Sequence, residues 1–149
     1  MSETTPPDDG AVHLQVSGDI ATLTFDRPQA RNAMTWAMYE QLAAHARQLA
    51  SDRSIRVAIL TSVSDQAFIA GTDIAQFLAF RDGDDGVRYE QQIDQIITVL
   101  EQVPCTTIAR LEGWTVGGGL AIATACDFRI AGSSARFAVP IARTLGNTL

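Results

Sequence analysis

The sequence contains no lysine: the 11 basic residues among its 149 are all arginine. A P-loop needs a lysine beside its glycines, so a nucleotide-hydrolysing site of that class is excluded. The 17 acidic residues give a net charge of -6, which argues against broad binding to nucleic acids or anionic membranes. Any anionic ligand must therefore be held by local arginines, since the overall charge repels it.

Cysteine and histidine are scarce as well. Cys105 and Cys126 lie far apart in apolar segments, so we interpret them as small core residues rather than as a disulfide. His13 and His45 are isolated, and no group of residues has the spacing of metal ligands. We therefore expect no metal site.

Long hydrophobic runs are missing too, because no apolar stretch approaches the roughly 20 residues that span a bilayer. Residues 1–10 are polar and acidic, without the basic start and apolar centre of a secretory signal. With 46% hydrophobic and 19% charged residues, the composition predicts one soluble domain. We expect a disordered tail at 1–10, a core domain at 11–149 and a cytoplasmic location.

What is present is an alternation of strand and helix patterns. Apolar β-branched runs predict strands, and apolar residues at helical spacing predict helices. The predicted strands are 12–16, 21–25, 56–61 and 106–111, and the predicted helices are 35–52, 87–102 and 120–126. Segment 81–86 is interpreted as a solvated turn, and Trp36 and Tyr39 as core packing. The order predicts an α/β fold, either a doubly wound sheet or repeated strand, strand, helix units.

Two short segments place small residues directly before a predicted helix. Three consecutive glycines do so within 113–123, and an Ala-Gly pair does so within 68–74. Backbone N–H groups at a helix start attract negative charge, and glycine leaves them uncovered. A purely structural tight turn uses the same residues. Two such turns, however, can aim two N–H groups at one oxygen, which is how proteins stabilise an oxyanion.

These two segments resemble the enoyl-CoA hydratase/isomerase family, also called the crotonase superfamily. Three further stretches agree with that family in the same order along the chain: 25–34, 126–131 and 136–140. The resemblance implies a crotonase-like right-handed ββα spiral, with an acyl-CoA thioester as partner and coenzyme A present only as part of that substrate. It also implies a homo-oligomer, a trimer or a dimer of trimers. Because the family pattern continues beyond Leu149, we expect the core domain to be incomplete at its C-terminus.

By this resemblance, the oxyanion hole consists of the backbone N–H groups of Thr72 and Gly118. Neighbouring residues of the two turns are expected to contact the substrate: Ala70, Gly71, Asp73, Ile74 and Gly117. Asp73 has a second interpretation, which we favour, because with Gln76 it forms the pattern of a helix capping box. Arg27 and Arg31, in the first matching stretch, are candidates to contact coenzyme A, although solvated surface arginines explain them equally well.

The resemblance does not extend to the acid and base of the family's hydratases, which are two glutamates. Their two glutamate positions correspond to Ala121 and Ile141, and neither side chain transfers a proton. The reaction is therefore open between isomerisation, hydration with unusual acids and another enolate chemistry. Glu112 is the nearest remaining carboxylate in sequence, although an exposed strand-end glutamate is the commoner case. The alternative is a non-catalytic, truncated member that acts as an acyl-CoA-binding or subunit-interaction module.

Overall fold

Strands and helices alternate along residues 9–140, the part of the chain that the computed structural model describes. The elements are β1 (Ala11–Ser17), β2 (Ile20–Asp26), α1 (Trp36–Ser51), β3 (Val57–Ser62), β4 (Ala67–Ala70), α2 (Gly83–Glu101), β5 (Thr106–Leu111), β6 (Trp114–Val116), α3 (Gly118–Ala125), β7 (Phe128–Ala131) and β8 (Arg136–Ala138). Two 3-10 segments, Pro28–Ala30 and Ile74–Ala79, connect them. All four strands and all three helices predicted from the pattern are present; strand 106–111 has the predicted ends, and the ends of the others are shifted.

The strands form two separate sheets. The larger has the order β1-β2-β3-β5-β7, and the smaller has the order β4-β6-β8. From β3 onward the chain gives one strand to the larger sheet, the next strand to the smaller sheet, and then forms a helix before repeating. Each new strand lies parallel to its predecessor in the same sheet. This is the strand, strand, helix order, and the second sheet excludes a single doubly wound sheet.

The first two strands make the predicted antiparallel hairpin, with Ser17 paired to Ile20. Gly18 turns the chain at φ +63°, which glycine adopts without the steric cost of a side chain. The second hairpin strand continues the larger sheet towards its centre. There, neighbouring positions of β2, β3 and β5 hold three fully buried residues: Leu23, Leu60 and Ala109. The hairpin thereby anchors the larger sheet on the central core.

Helix α1 covers this core with its apolar face. Thr35 begins the helix, because its hydroxyl accepts a hydrogen bond from the Met38 N–H at 3.2 Å. The residues that recur at helical spacing are buried: Met38, Tyr39, Leu42, Ala43, Ala46 and Leu49. Each large apolar side chain buried in this way contributes about 1.5–3 kcal/mol. The prediction of a one-faced helix is confirmed.

Helix α2 begins four residues earlier than predicted, at Gly83 rather than at Val87. The Asp82 carboxylate accepts hydrogen bonds from the N–H groups of Asp84 and Asp85, at 3.0 and 3.2 Å. Acidic residues at a helix start satisfy free N–H groups and complement the helix dipole. The interpretation of 81–86 as a solvated turn was therefore wrong, since these residues cap and open the helix.

Both cysteines are buried free thiols, at 8% exposure for Cys105 and 3% for Cys126. Burial raises the pKa of the Cys126 thiol to about 12, and it also raises the pKa of Cys105. The prediction of small core residues is confirmed.

At 19 residues, α2 is the longest helix of the described region, and it carries several charged side chains. Within residues 9–140, no helix combines the length and the apolar character that crossing a bilayer requires.

Candidate functional site

The two predicted turns meet at one cleft of about 230 Å³. The cleft is lined by Ala70, Gly71, Thr72, Ile74, Phe77, Tyr89, Glu90, Val116, Gly117, Gly118 and Pro140. The structure therefore brings together the site residues predicted in the two turns, except Asp73, whereas the further candidates Arg27, Arg31 and Glu112 do not line the cleft. It adds two residues of α2, Tyr89 and Glu90, that the sequence did not single out.

The first turn follows β4. Gly71 takes φ +98°, a conformation that side-chain-bearing residues rarely adopt. The chain is held on one side by Met34, whose N–H donates to the Gly71 carbonyl at 2.8 Å and whose carbonyl accepts from the Asp73 N–H at 3.0 Å. These bonds engage the Gly71 carbonyl and the Asp73 N–H, on either side of Thr72. They do not involve the Thr72 N–H. That N–H belongs to a residue that lines the cleft.

The second turn leads from β6 into α3. Gly117 takes φ +50°, and Gly118 is the first helical residue. The first N–H groups of a helix have no intrahelical partner, and within residues 9–140 the Gly118 N–H has no other hydrogen-bond partner either. A Cβ at Gly118 would lie 2.5 Å from Tyr39 Oη and 3.1 Å from Thr72 Oγ1. A side chain at this position would therefore displace the Tyr39 hydroxyl, and the two turns lie against each other.

Asn32 braces the first turn from behind. It is fully buried, with φ +57°. Its Oδ1 accepts from the Arg27 N–H at 2.7 Å, and its Nδ2 donates to the carbonyls of Ala67 and Phe68 at 3.2 and 3.1 Å. One side chain thus joins the loop after β2 to the strand that precedes the turn. The sequence placed Asn32 inside a family stretch without indicating this role.

Asp73 caps the helix that follows the turn. Its Oδ1 accepts from the Ala75 N–H at 3.0 Å, and its Oδ2 forms an ion pair with Arg27 Nη1 at 2.8 Å. The favoured capping interpretation is therefore correct, and Asp73 does not line the cleft. The Arg27 guanidinium also donates to the Ala33 carbonyl at 3.0 Å. These bonds fix Arg27 to the first turn, so we do not assign it to coenzyme A, whereas Arg31 is exposed.

The capping box itself is incomplete. A closed box requires Gln76 to accept from the Asp73 N–H, but that N–H donates to the Met34 carbonyl. Instead, Gln76 Nε2 donates to the carbonyls of Met34 and Asp73, each at 3.2 Å. Its Oε1 accepts from the Trp36 N–H at 2.7 Å. Gln76 consequently links the first turn to the start of α1.

Three hydroxyl groups form a chain beside the two turns. Thr72 Oγ1 lies 2.8 Å from Tyr39 Oη and 3.2 Å from Tyr89 Oη. Burial raises the pKa of Tyr39 and, to a smaller extent, of Tyr89, so both phenols stay neutral at physiological pH. Tyr39 packs in the core as predicted, but its hydroxyl also reaches the site. The helical spacing revealed its buried face and not the position of its polar end.

Aromatic rings form one side of the cleft. Phe77 and Tyr89 meet edge to face, with ring centroids 5.0 Å apart, and the Trp36 ring packs against Tyr89 at a tilt, with centroids 5.2 Å apart. Such pairs stabilise each other beyond the area that they bury. Together with Ile74 and Val116, Phe77 and Tyr89 give the cleft an apolar wall next to the two turns.

The comparisons with known proteins agree with this geometry. The sequence model of the enoyl-CoA hydratase/isomerase family matches residues 15–146. This chain belongs to the enoyl-CoA hydratase/isomerase family. It is 37% identical over 116 residues to the bovine enoyl-CoA hydratase domain-containing protein 2, mitochondrial. The matched region covers 78% of this chain and 39% of that protein. It is 31% identical over 129 residues to a short-chain-enoyl-CoA hydratase of Clostridium acetobutylicum, covering 87% of this chain and 49% of that enzyme.

Solved structures show that the fold is the crotonase fold of this family. An enoyl-CoA hydratase/carnitine racemase from Magnetospirillum magneticum superimposes with a TM-score of 0.87 at 33% identity, covering 93% of this chain and 52% of that one. An enoyl-CoA hydratase from Bacillus anthracis gives 0.82 at 28% identity, covering 91% and 52%. The chain thus spans about half the length of these family members, or less.

Glu112, the weak candidate for an acid or base, does not line the cleft. Glu112 is half-buried outside the cleft lining, where it accepts a hydrogen bond from Ser134 Oγ. Ser134 Oγ in turn accepts from the Gly113 N–H at 3.1 Å. Glu112 therefore braces the start of β6. Among residues 9–140, the acidic residue that lines the cleft is Glu90, and Ile141 lies outside the described residues.

Proposed function

We propose that this enoyl-CoA hydratase/isomerase-family chain binds an acyl-CoA thioester and stabilises its enolate with the backbone N–H groups of Thr72 and Gly118. One observation carries the proposal. Thr72 and Gly118 lie against each other at the same cleft, and neither N–H has a hydrogen-bond partner among the described residues. Coenzyme A enters as part of the substrate, and the proposal needs no further cofactor.

The chemistry follows from where charge develops. Loss of a proton from the carbon next to a thioester moves negative charge onto the carbonyl oxygen. Donors that are already oriented stabilise this charge without reorganising, and removing one such donor typically costs about 3 kcal/mol in the transition state. The start of α3 adds the positive end of a helix dipole. The apolar wall beside the donors suits the acyl group.

Lyase and isomerase reactions of an acyl-CoA both use this stabilised enolate. The relatives named as enoyl-CoA hydratases support the substrate class. For the assembly we propose a homo-oligomer, a trimer or a dimer of trimers, and for the location the cytoplasm. The bovine relative is named mitochondrial, so cell fractionation is the measurement that decides the location.

A second candidate function is a non-catalytic one. Ala121 replaces a hydratase glutamate, and four large apolar side chains of the last two strands and the residue after them are exposed: Phe128, Ile130, Phe137 and Val139. Exposed apolar patches of this kind favour association with another protein surface. Such a module would bind acyl-CoA or a subunit and catalyse nothing.

The donor hypothesis is tested with a pair of variants that differ at one N–H. Proline at Gly118 removes the donor and is compatible with a first helical position, whereas alanine keeps the donor. Both add a Cβ against Tyr39 Oη, so both are made in the Tyr39→Phe background. Titration calorimetry with acetoacetyl-CoA, which can bind as an enolate, compares G118P/Y39F with G118A/Y39F.

We expect G118P/Y39F to bind acetoacetyl-CoA roughly 10- to 100-fold more weakly than G118A/Y39F, because a hydrogen bond to a charged oxygen is lost. The thioester group of saturated butyryl-CoA stays neutral. Its affinity is therefore expected to differ less between the two variants. In the unsubstituted chain, the amide proton resonances of Thr72 and Gly118 are expected to move downfield with acetoacetyl-CoA. Equal affinities in the two variants and unmoved resonances would reject these two donors.

A further inference from the structure

Glu90 is the one acidic residue among the described residues that line the cleft. It lines the same cleft as Thr72 and Gly118, from α2. Glu90 is exposed and forms no ion pair within residues 9–140. Its carboxylate is therefore available to a bound ligand.

The neighbouring residue holds this part of α2 against the first turn. Tyr89 Oη lies 3.2 Å from Thr72 Oγ1, and the Tyr89 ring packs on Phe77 and Trp36. Glu90 follows Tyr89 directly within the helix, so its backbone is held relative to Thr72. A base works only when its position relative to the reacting atom is maintained.

The other carboxylates near the two turns are engaged elsewhere. Asp73 forms an ion pair with Arg27 and caps the following helix. Glu112 accepts from Ser134 beyond the lining of the cleft. Neither is available to exchange a proton with a ligand that contacts Thr72 and Gly118, whereas Glu90 is.

We propose that Glu90 is a catalytic residue that carries a proton between two carbons of the acyl group, so that the chain isomerises β,γ-unsaturated acyl-CoA thioesters. This inference rests on the proposed function. The ionised Glu90 carboxylate takes a proton from the α-carbon, and the C–H electron pair forms the enolate double bond. The carbonyl π electrons move to the oxygen, which the Thr72 and Gly118 N–H groups hold.

A second proton transfer completes the reaction. The protonated Glu90 gives its proton to the γ-carbon, the enolate carbonyl re-forms, and the double bond then lies between the α- and β-carbons. One carboxylate suffices for both steps, and neither water nor an oxidant or reductant is consumed. Hydration requires two groups, because one must activate water while another protonates carbon. One acidic residue among the described residues of the cleft therefore suits isomerisation.

The test compares two glutamates of the same helix. Glu90→Gln keeps the size of the side chain and removes its basicity, and Glu101→Gln makes the same change at the exposed far end of α2. The probe is 3-hexenoyl-CoA, whose conversion to the conjugated thioester is followed by near-ultraviolet absorbance. Deuterium uptake at the α-carbon in heavy water is followed by mass spectrometry. Butyryl-CoA affinity is measured separately by calorimetry.

We expect Glu90→Gln to slow isomerisation and deuterium uptake by about 100-fold or more, with butyryl-CoA affinity unchanged. Glu101→Gln is expected to match the unsubstituted chain, and Glu90→Asp to retain part of the rate. Equal rates in Glu90→Gln, or binding of butyryl-CoA by the unsubstituted chain without any isomerisation, would overturn the role of Glu90 alone. Absence of butyryl-CoA binding by the folded chain would overturn the proposed function and this inference together.

Discussion

The two turns of the oxyanion site are positioned by opposite means. Polar side chains hold the first: Asn32 bonds the strand before it, and Arg27 pairs with Asp73 after it. The second is positioned by the absence of side chains, because Gly118 lies under Tyr39 Oη and Gly119 lies against Ile69. A backbone donor can thus be held either by surrounding hydrogen bonds or by close backbone approach.

The difference explains which residues each turn accepts. The first turn tolerates a threonine at the donor position, and the Thr72 hydroxyl even joins the two tyrosine hydroxyls. In the second turn, a Cβ at Gly119 would clash with the Ile69 backbone, and a Cβ at Gly118 would displace the Tyr39 hydroxyl. The first turn should therefore be sensitive to changes in its polar neighbours, and the second to any added atom.

The largest effect is expected for Gly119→Ala. The added Cβ would lie 2.3 Å from the Ile69 carbonyl oxygen and 2.7 Å from Ile69 Cβ, so the smaller sheet must move away from α3. We expect a loss of about 3 kcal/mol in the free energy of unfolding, measured by urea denaturation. Gly86→Ala is the matched control, because it lies in α2 with no atom within 4 Å of its Cβ.

That control should be neutral or slightly stabilising, by up to about 1 kcal/mol, since alanine favours the helix over glycine. If Gly119→Ala were as stable as Gly86→Ala, close approach would not be what positions the second turn.

A smaller effect is expected at the first turn, from Asn32→Ala. This change leaves the Ala67 and Phe68 carbonyls and the Arg27 N–H without their buried partner. An unsatisfied buried group costs about 1–3 kcal/mol, and we expect a total loss of about 2 kcal/mol as the turn relaxes. Hydrogen exchange of the Ala70 N–H, which bonds to the Arg31 carbonyl, should speed up with it.

The matched comparison is Thr72→Ala, which removes the hydroxyl of the first turn and keeps its backbone donor. It should cost less than Asn32→Ala. The reverse order would show that the hydroxyl chain, and not Asn32, holds the turn.

The smallest effect is expected from Thr115→Val in β6, the strand that leads into the second turn. The Thr115 hydroxyl is fully buried, and no hydrogen-bond partner for it lies within the described part of the chain. Valine has nearly the same shape, so we expect a gain of about 1 kcal/mol in the free energy of unfolding. A loss of stability would reveal a partner for this hydroxyl.

Thr107→Val in β5 is the contrasting change. The Thr107 hydroxyl donates to the Asp127 carboxylate at 3.0 Å and accepts from the Asp127 N–H at 2.9 Å. We expect a loss of about 1–2 kcal/mol by the same denaturation measurement.

Local chemistry was enough to predict much of the fold. The hairpin turns at Gly18, helix α1 starts after Thr35, and Asp73 caps the segment that follows it, as the pattern indicated. Four strands escaped prediction, β4, β6, β7 and β8, because runs of three or four residues are too short to show a period. The early start of α2 escaped because Gly83 and Gly86 argued for a turn, while the Asp82 cap and the rest of the helix outweighed them.

The sequence by itself determined the positions of the glycines in the two turns, because conformational freedom is a property of the individual residue. It also determined which family the chain resembles, because the spacing of motifs is read directly from neighbouring residues. Only the tertiary structure decided which side chains reach the cleft. Tyr39 and Thr72 are 33 residues apart, and Tyr89 is 17 residues further along, yet their hydroxyls meet. Glu90 lies in the cleft while Glu112, closer in sequence to the glycine turn, lies outside its lining. Contacts of this kind depend on how sheets and helices pack, and packing is not encoded in any single segment.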